Sequence, residues 1–597
     1  MHLWRILVVV CCALVGCGTE NTPSELSAPA VYRHAMDGVP GSLDPARASS
    51  VYSKFLAVNL YDTLYRYRYL SRPYELTPNL AESLPEISAD GQIYTIRLKP
   101  GTRFIDDPAF PDGRGREVTA HDFVYSIKRH FDPGTLAEGG WLWQGRFKGM
   151  TDWKAAGADY DREVDGVRAL DEHTIRIELN MPFPQLVHTL AQGFAALVPR
   201  EAVEYYGEEF SIHPVGSGPF KLRSIDSARA VLDRNPDFRK EPFKLAGEGY
   251  DPGRQGQFGL QSLEGRHPPF MERIDIEFIT EDAARWNALR SGDVHFIKTP
   301  AAQFDQVLEQ RRPPLLAPEF SADYHLAAEQ ESGLVYTNFN LTNPHLGYSE
   351  EPDREQRNRA LRCAIIQGFD WQRRNNTFFS GIGEIFSGVL PPTVPEFDTS
   401  GTAQAASFDP AGAQRLIEAN GWTPETLPIL EYGFPSSVTE RQMFEQFRGF
   451  MEAIGYPRGK IQPLTFASFA EYYAAYSRNE VMLITTSWTM DYPDAENIMQ
   501  LFYGPNAAPG ANSANYANPH FDELFRKAAP MSASPERTHL YQTMNQMLID
   551  DCVSITGLSR TLVLLWSKQF TMLPDRSFVG GYFLRFVDSS GAETADQ

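Results

Sequence analysis

The chain predicts an α/β protein of two or three domains, and three observations carry that reading. Its 597 residues exceed what one hydrophobic core organises. Short β-branched runs recur along it, and apolar residues at helical spacing lie between them. One such run, Val481-Met482-Leu483-Ile484-Thr485-Thr486, ends at Ser487-Trp488-Thr489-Met490-Asp491-Tyr492-Pro493-Asp494, so a ring and a carboxylate arrive together at a strand end. Strand ends in α/β proteins face clefts. On residues alone Asp491 has two readings: it caps a helix beginning near Ala495, or it faces such a cleft.

Composition and charge narrow the function classes. The chain is 42% hydrophobic and 22% charged, an ordinary globular balance, and its formal net charge is −21. Nucleic acid is not an expected partner, because long-range repulsion opposes it and no Lys/Arg block reverses the sign locally. At the N-terminus Arg5 is followed by an apolar run over residues 6–14, too short to span a bilayer, and then by Leu14-Val15-Gly16-Cys17. Those four residues resemble a bacterial lipobox, which implies cleavage after Gly16 and lipid on Cys17, with a tether rich in Ser, Thr, Asn and Pro behind it. The partner there is membrane lipid. Of five cysteines, Cys363 and Cys552 then remain in the exported body, either as a disulfide or as two buried thiols.

Taken in order, Val31 opens a strand, Met36-Asp37-Gly38-Val39-Pro40-Gly41-Ser42-Leu43-Asp44-Pro45 is a Gly/Pro loop, and a helix follows with Phe55, Val58, Leu60 and Leu64. Tyr94, Ile96 and Leu98 alternate with Ile93, Thr95 and Arg97 as a half-buried strand after an Asp90-Gly91 turn. Thr119 with Asp122 three positions on marks a helix start, and Phe123, Ile127 and Phe131 recur behind it. Residues 132–165 read as an elaborated loop whose Trp141 and Trp143 are expected to pack. Residues 174–179 alternate as a strand. Gly216-Ser217-Gly218 lacks both the full phosphate-loop and the serine-nucleophile patterns and reads as a strand-entry turn. Residues 241–269 are a surface excursion, 274–279 a strand and 281–290 a helix. Residues 334–340 alternate as a strand before a helix with Ala360, Leu361, Ala364 and Ile365. Asp409-Pro410 starts a helix that Asn420-Gly421 ends. Helices over 440–454, 469–476 and 537–550 complete the pattern.

Catalytic arrangements are not visible. No His-Glu-x-x-His motif occurs, no Cys/His pairs stand at ligand spacing, and the 13 His are scattered. Asp106-Asp107 and Asp550-Asp551 are adjacent, so their carboxylates do not face each other. No catalytic residue, metal or cofactor is expected, and a secreted hydrolase whose carboxylates meet in space is the competing class outside a binding function.

Leu43-Asp44-Pro45 followed by Asn59-Leu60-Tyr61-Asp62-Thr63-Leu64-Tyr65 resembles the opening of the family 5 solute-binding proteins, the oligopeptide- and dipeptide-binding components of ABC importers. Pro78-Asn79-Leu80-Ala81-Glu82-Ser83-Leu84, Thr119-Ala120-His121-Asp122, Leu334-Val335-Tyr336-Thr337-Asn338-Phe339-Asn340 and Tyr516-Ala517-Asn518-Pro519 continue the resemblance in register over about residues 31–590. It implies a periplasmic-binding-protein-like α/β fold: two lobes, a cleft, hinge crossing strands and an extra subdomain on the first lobe. The implied division is a signal peptide at 1–16, a lipid-anchored tether at 17–30, and lobe I at 31–50 and 191–332. The subdomain falls at 51–190, lobe II at 333–564 and the return to lobe I at 565–597.

The implied function is capture of peptides in the cleft and delivery to an ABC permease by an extracytoplasmic lipoprotein, expected to be a monomer. A nickel chelate, haem, an opine or an oligosaccharide is the runner-up ligand. A peptide's constant charge is its α-ammonium, and in oligopeptide-binding relatives an Asp three residues after a Trp holds it; Trp488-Thr489-Met490-Asp491 reproduces that spacing. A buried charge-assisted contact of this kind contributes about 1.5 to 3 kcal/mol. Asp491 and Trp488 therefore lead the candidates, with Tyr336 and Asn338 on the crossing strand and Val39 and Gly41 in the first loop as further cleft residues. Thr489 departs from the family, which has a Cys beside the Trp, paired to one on the crossing strand.

Overall fold

Two sheets, joined by two very short crossings, set the architecture of the computed structural model, which describes residues 31–401, 407–575 and 580–589. The proposed signal peptide and the tether with Cys17 lie outside the described residues. The first sheet has seven strands in the order Tyr324–Gln330, Thr561–Ser567, Phe296–Lys298, Val31–Met36, Arg273–Phe278, Arg229–Arg234 and Phe220–Ile225. Val31–Met36 is central and parallel to both neighbours, Arg273–Phe278 and Phe296–Lys298. The second sheet has six strands, with Gly333–Phe339 between Ser554–Ser559 and Leu483–Thr489.

The crossings lie side by side. Residues 331 and 332 lead from the first sheet to the second, and residue 560 leads back. The Glu331 N–H donates to the Arg560 carbonyl at 2.8 Å, and the Arg560 guanidinium grips the Glu331 carboxylate at 2.6 and 3.1 Å. Planar, bidentate pairing of this kind fixes orientation as well as distance. The expected return at residue 565 falls inside the strand Thr561–Ser567, whose first residue already pairs with Gln330. Leu562 to Trp566 form one continuous apolar run, so the sheet takes the whole of it.

A four-stranded antiparallel sheet, Glu86–Ile87, Ile93–Arg97, Thr174–Glu178 and Val167–Ala169, stands apart within the first 190 residues. Its alternation is the one read from the sequence: Tyr94, Ile96, Ile175 and Ile177 are buried. The helix Ala120–Arg129 packs on it, and the Thr119 N–H donates to the Asp122 carboxylate at 2.8 Å, closing its first turn. Arg129 at the other end reaches Asp44 of the Leu43-Asp44-Pro45 loop with two bonds of 2.7 and 2.6 Å, both groups buried. Removing either partner would leave an uncompensated buried charge, which costs about 3 to 5 kcal/mol.

Trp143 is fully buried and donates to Thr189 Oγ1 at 2.9 Å, whereas Trp141 is exposed. Gly216 and Gly218 press on the C-terminal end of the helix Val51–Leu60: a Cβ at Gly216 would stand 2.1 Å from the Leu60 carbonyl oxygen. Between them Ser217 donates to the buried Asp62 carboxylate at 3.1 Å, whose other partners include Arg239. The loop is a packing joint. Cys363 and Cys552 form a disulfide, Cα to Cα 5.2 Å, tying the helix Pro352–Gln367 to the chain just after Pro535–Asp550. Among the described residues no helix is long and apolar enough to cross a membrane.

Candidate ligand site between the lobes

The strand Leu483–Thr489 runs through Trp488 and stops at the turn that carries Asp491. Three bonds shape this turn. The Met490 N–H donates to the Ser332 carbonyl of the crossing at 2.8 Å, the Asp491 N–H to Asn497 Oδ1 at 3.2 Å, and the Trp488 indole N–H to the same oxygen at 2.9 Å. Asn497 also donates to the Asp491 carboxylate at 3.4 Å. Fully buried Asn497 thus positions both candidate residues. It stands six residues after Asp491 in the short helix Glu496–Met499, and nothing in that spacing reveals its burial.

The cap reading of Asp491 does not hold. The short helix is Glu496–Met499, and it is Asp494 that accepts the Glu496 N–H, at 2.9 Å. Asp494 also pairs with Arg537 at 2.5 Å, and Arg537 contacts Glu396 on its other side. Burial and the nearby Asp494 carboxylate push the Glu396 carboxyl up to about 7 despite that guanidinium.

Asp491 faces a cavity of about 270 Å³ between the lobes. Asp37, Lys54 and Gln192 line it from the first lobe, and Glu331 and Ser332 from the crossing. Gln192 donates through Nε2 to the Asp491 carbonyl, and Gln185 to the Ala529 carbonyl at 3.3 Å, so hydrogen bonds bridge the lobes beside the cavity. Burial raises the Asp491 carboxyl above its ordinary range, with Lys54 and Asn497 opposing the shift. Burial lowers the Lys54 ammonium, and Asp491 opposes that in turn. Each group feels the other's charge across the cleft.

The other sequence candidates are placed differently. Trp488 is half-buried against the second lobe's core, held by Asn497. Tyr336 and Asn338 are 4% and 1% exposed, and Asn338 donates to Ser513 Oγ at 3.0 Å. They share a face of Gly333–Phe339, and that central strand is covered on both faces, so their side chains sit in the lobe interior rather than on the cavity. Val39 is solvent-exposed, and the Gly41 N–H donates to Ser53 Oγ at 3.0 Å; neither lines the cavity. The residues missed by sequence reasoning, Lys54 and Gln192, come from a helix and a loop whose approach to Asp491 depends on the tertiary fold. Among the described residues no three His, Cys, Asp or Glu gather as metal ligands.

A half-buried carboxylate on the wall of a cavity between lobes joined by paired crossings fits a lobed ligand-binding protein. The chain belongs to the bacterial extracellular solute-binding proteins, family 5: the family's Middle profile matches residues 75–510. It is 23% identical over 541 residues to a dipeptide-binding protein of Pseudomonas aeruginosa, covering 88% of this chain and 89% of that one. It is also 23% identical over 545 residues to the glutathione-binding protein GsiB of Escherichia coli, covering 90% and 91%. Among solved structures, the periplasmic binding protein DppA of Helicobacter pylori in complex with peptide STSA superposes with a TM-score of 0.67 at 20% identity, covering 94% of this chain and 98% of that one. The fold is the two-lobed α/β type of periplasmic binding proteins.

Proposed function

We propose that this protein captures peptides in the cleft between its lobes and delivers them to the permease of an ABC importer, acting outside the cytoplasm as a monomer held to the membrane by lipid on Cys17. One observation carries the ligand assignment: Asp491 is a half-buried carboxylate on the cavity wall whose side chain accepts one long hydrogen bond from Asn497 and has no ion-pair partner among the described residues. A ligand ammonium is the group that such a carboxylate lacks. The relatives named for dipeptides and glutathione, and the neighbour solved with a peptide, support the same ligand class. The protein acts by binding and closure rather than by turnover.

Native mass spectrometry of the purified protein is expected to show a retained peptide. Titration calorimetry then tests the anchor. Asp491→Ala weakens peptide binding at least tenfold, and N-acetylated peptides bind the unmodified protein poorly. Equal affinity for blocked and free peptides would remove Asp491 from the ligand site.

A further inference from the structure

The seven-stranded sheet is packed on both faces, and its two faces meet the second lobe differently. Tyr32 and Met36 of the central strand join the core that holds Phe55 and Leu56 of the helix Val51–Leu60, whereas Ala35 joins a separate cluster with Trp286 and Leu289 on the opposite face. The ligand cavity lies on the first face, where Lys54 and Phe55 line it. On the other face a side chain of the second lobe enters the first lobe's core: Ile382, 6% exposed, belongs to the cluster that holds Phe304, Leu308, Val563 and Leu565. It sits in the loop that follows the helix Trp371–Phe378 and leads into Glu384–Ile385, the edge strand of the six-stranded sheet. Each carbonyl from Ser380 to Gly383 accepts a hydrogen bond from a side chain of the first lobe. Arg311 Nη1 donates to Ser380 at 2.7 Å, Arg312 Nε to Gly381 at 2.6 Å, Thr561 Oγ1 to Ile382 at 2.8 Å and Arg312 Nη2 to Gly383.

Both sides of this contact are built for it. Arg311 and Arg312 stand at the tip of a hairpin, Leu308–Arg311 with Pro314–Leu316, that adds no strand to the large sheet, and the Arg312 guanidinium spans two carbonyls of the other lobe. Charged donors make the stronger hydrogen bonds. On the receiving side Ser380 and Gly381 are both left-handed, at φ 55° and 71°. For a serine that conformation is costly and persists where the surroundings hold it.

We propose that this seat is the pivot of the interlobe motion: Ile382 stays in the first lobe's core as the lobes rotate, and Arg311 and Arg312 are positioning residues that confine opening to one axis. The lobes are then tied at two places, the crossings and the seat, and two fixed points define an axis where one does not. Thr561 directly follows the crossing residue 560, so the seat lies beside the crossings, where rotation displaces atoms least. Opening by breaking it would expose Ile382 and strip its loop of these donors. The role needs only the two-lobed architecture and does not depend on which ligand the cleft takes.

The test places spin labels at Ser227→Cys in the first lobe and Thr465→Cys in the second, both exposed and both at the edge of their sheet away from the crossings. Pulsed electron resonance of the ligand-free full protein is expected to give one narrow interlobe distance distribution. Arg311→Ala with Arg312→Ala widens that distribution about twofold, and Ile382→Ala widens it as well by emptying the seat. Thermal midpoints show which variants fold. The double arginine variant alters only the hairpin tip and leaves both cores intact, so it decides the question if Ile382→Ala does not fold. A distribution already broad in the unmodified protein, or one left unchanged by either folded variant, would overturn the pivot assignment, and peptide capture in the cleft would stand or fall separately.

Discussion

Asp491 illustrates how one carboxylate acquires a role from what its neighbours take away. Asp494 supplies the helix start and the arginine contact, Asn497 fixes the turn, and Asp491 is left facing the cavity. Its raised pKa has a consequence for binding. An ammonium ligand requires the ionised form, so affinity is level above the raised value and falls as the solution is acidified through it. That loss begins at a higher pH than an ordinary Asp, near 3.9, would produce. In Asp491→Asn the acid-side loss is expected to disappear together with most of the affinity. Calorimetry across a pH series checks this, and an unchanged acid limb in the variant would assign the titration to another group.

At the scale of elements, the joint between the Gly216-Ser217-Gly218 loop and the helix Val51–Leu60 fixes the base from which Lys54 projects. Gly216→Ala would drive its methyl into the Leu60 carbonyl. Overpacking of this kind costs about 1 to 3 kcal/mol. Chemical denaturation is expected to show that loss, with phosphate giving no compensating shift; a stable variant would mean that the loop yields freely. This is also where the legibility of the sequence divides. Strand-entry turn, alternating strands, the Asp409-Pro410 helix start and the crossing strand were readable, because each depends on local periodicity or turn chemistry. Tyr336 and Asn338 lie in the lobe interior, off this cavity, and alternation along a central strand does not reveal that both of its faces are covered. Lys54 and Gln192 were invisible because nothing local distinguishes a cavity lysine on a helix from one in water.

At the scale of the whole molecule, the Cys363–Cys552 disulfide spans 189 residues within the second lobe, a pairing that composition left open. Closing so long a loop removes conformational freedom from the unfolded chain, an effect of about 5 kcal/mol in chain-entropy terms. Cys363→Ser with Cys552→Ser is expected to lower the thermal midpoint by roughly 5 to 15 °C. Calorimetric scans of both forms check this, and coincident midpoints would show that the lobe does not depend on the bond. Because neither cysteine lines the cavity, ligand affinity at ambient temperature should stay within about twofold.

The narrow crossing has a practical corollary. Among the described residues, 331, 332 and 560 carry the backbone between the lobes, and the Glu331–Arg560 grip sets their backbones side by side. A joint of that width works like a door on a single pin: ligand occupancy becomes one angle. A donor and an acceptor dye, one per lobe, would convert that angle into colour and make the protein an optical gauge of its own nutrient.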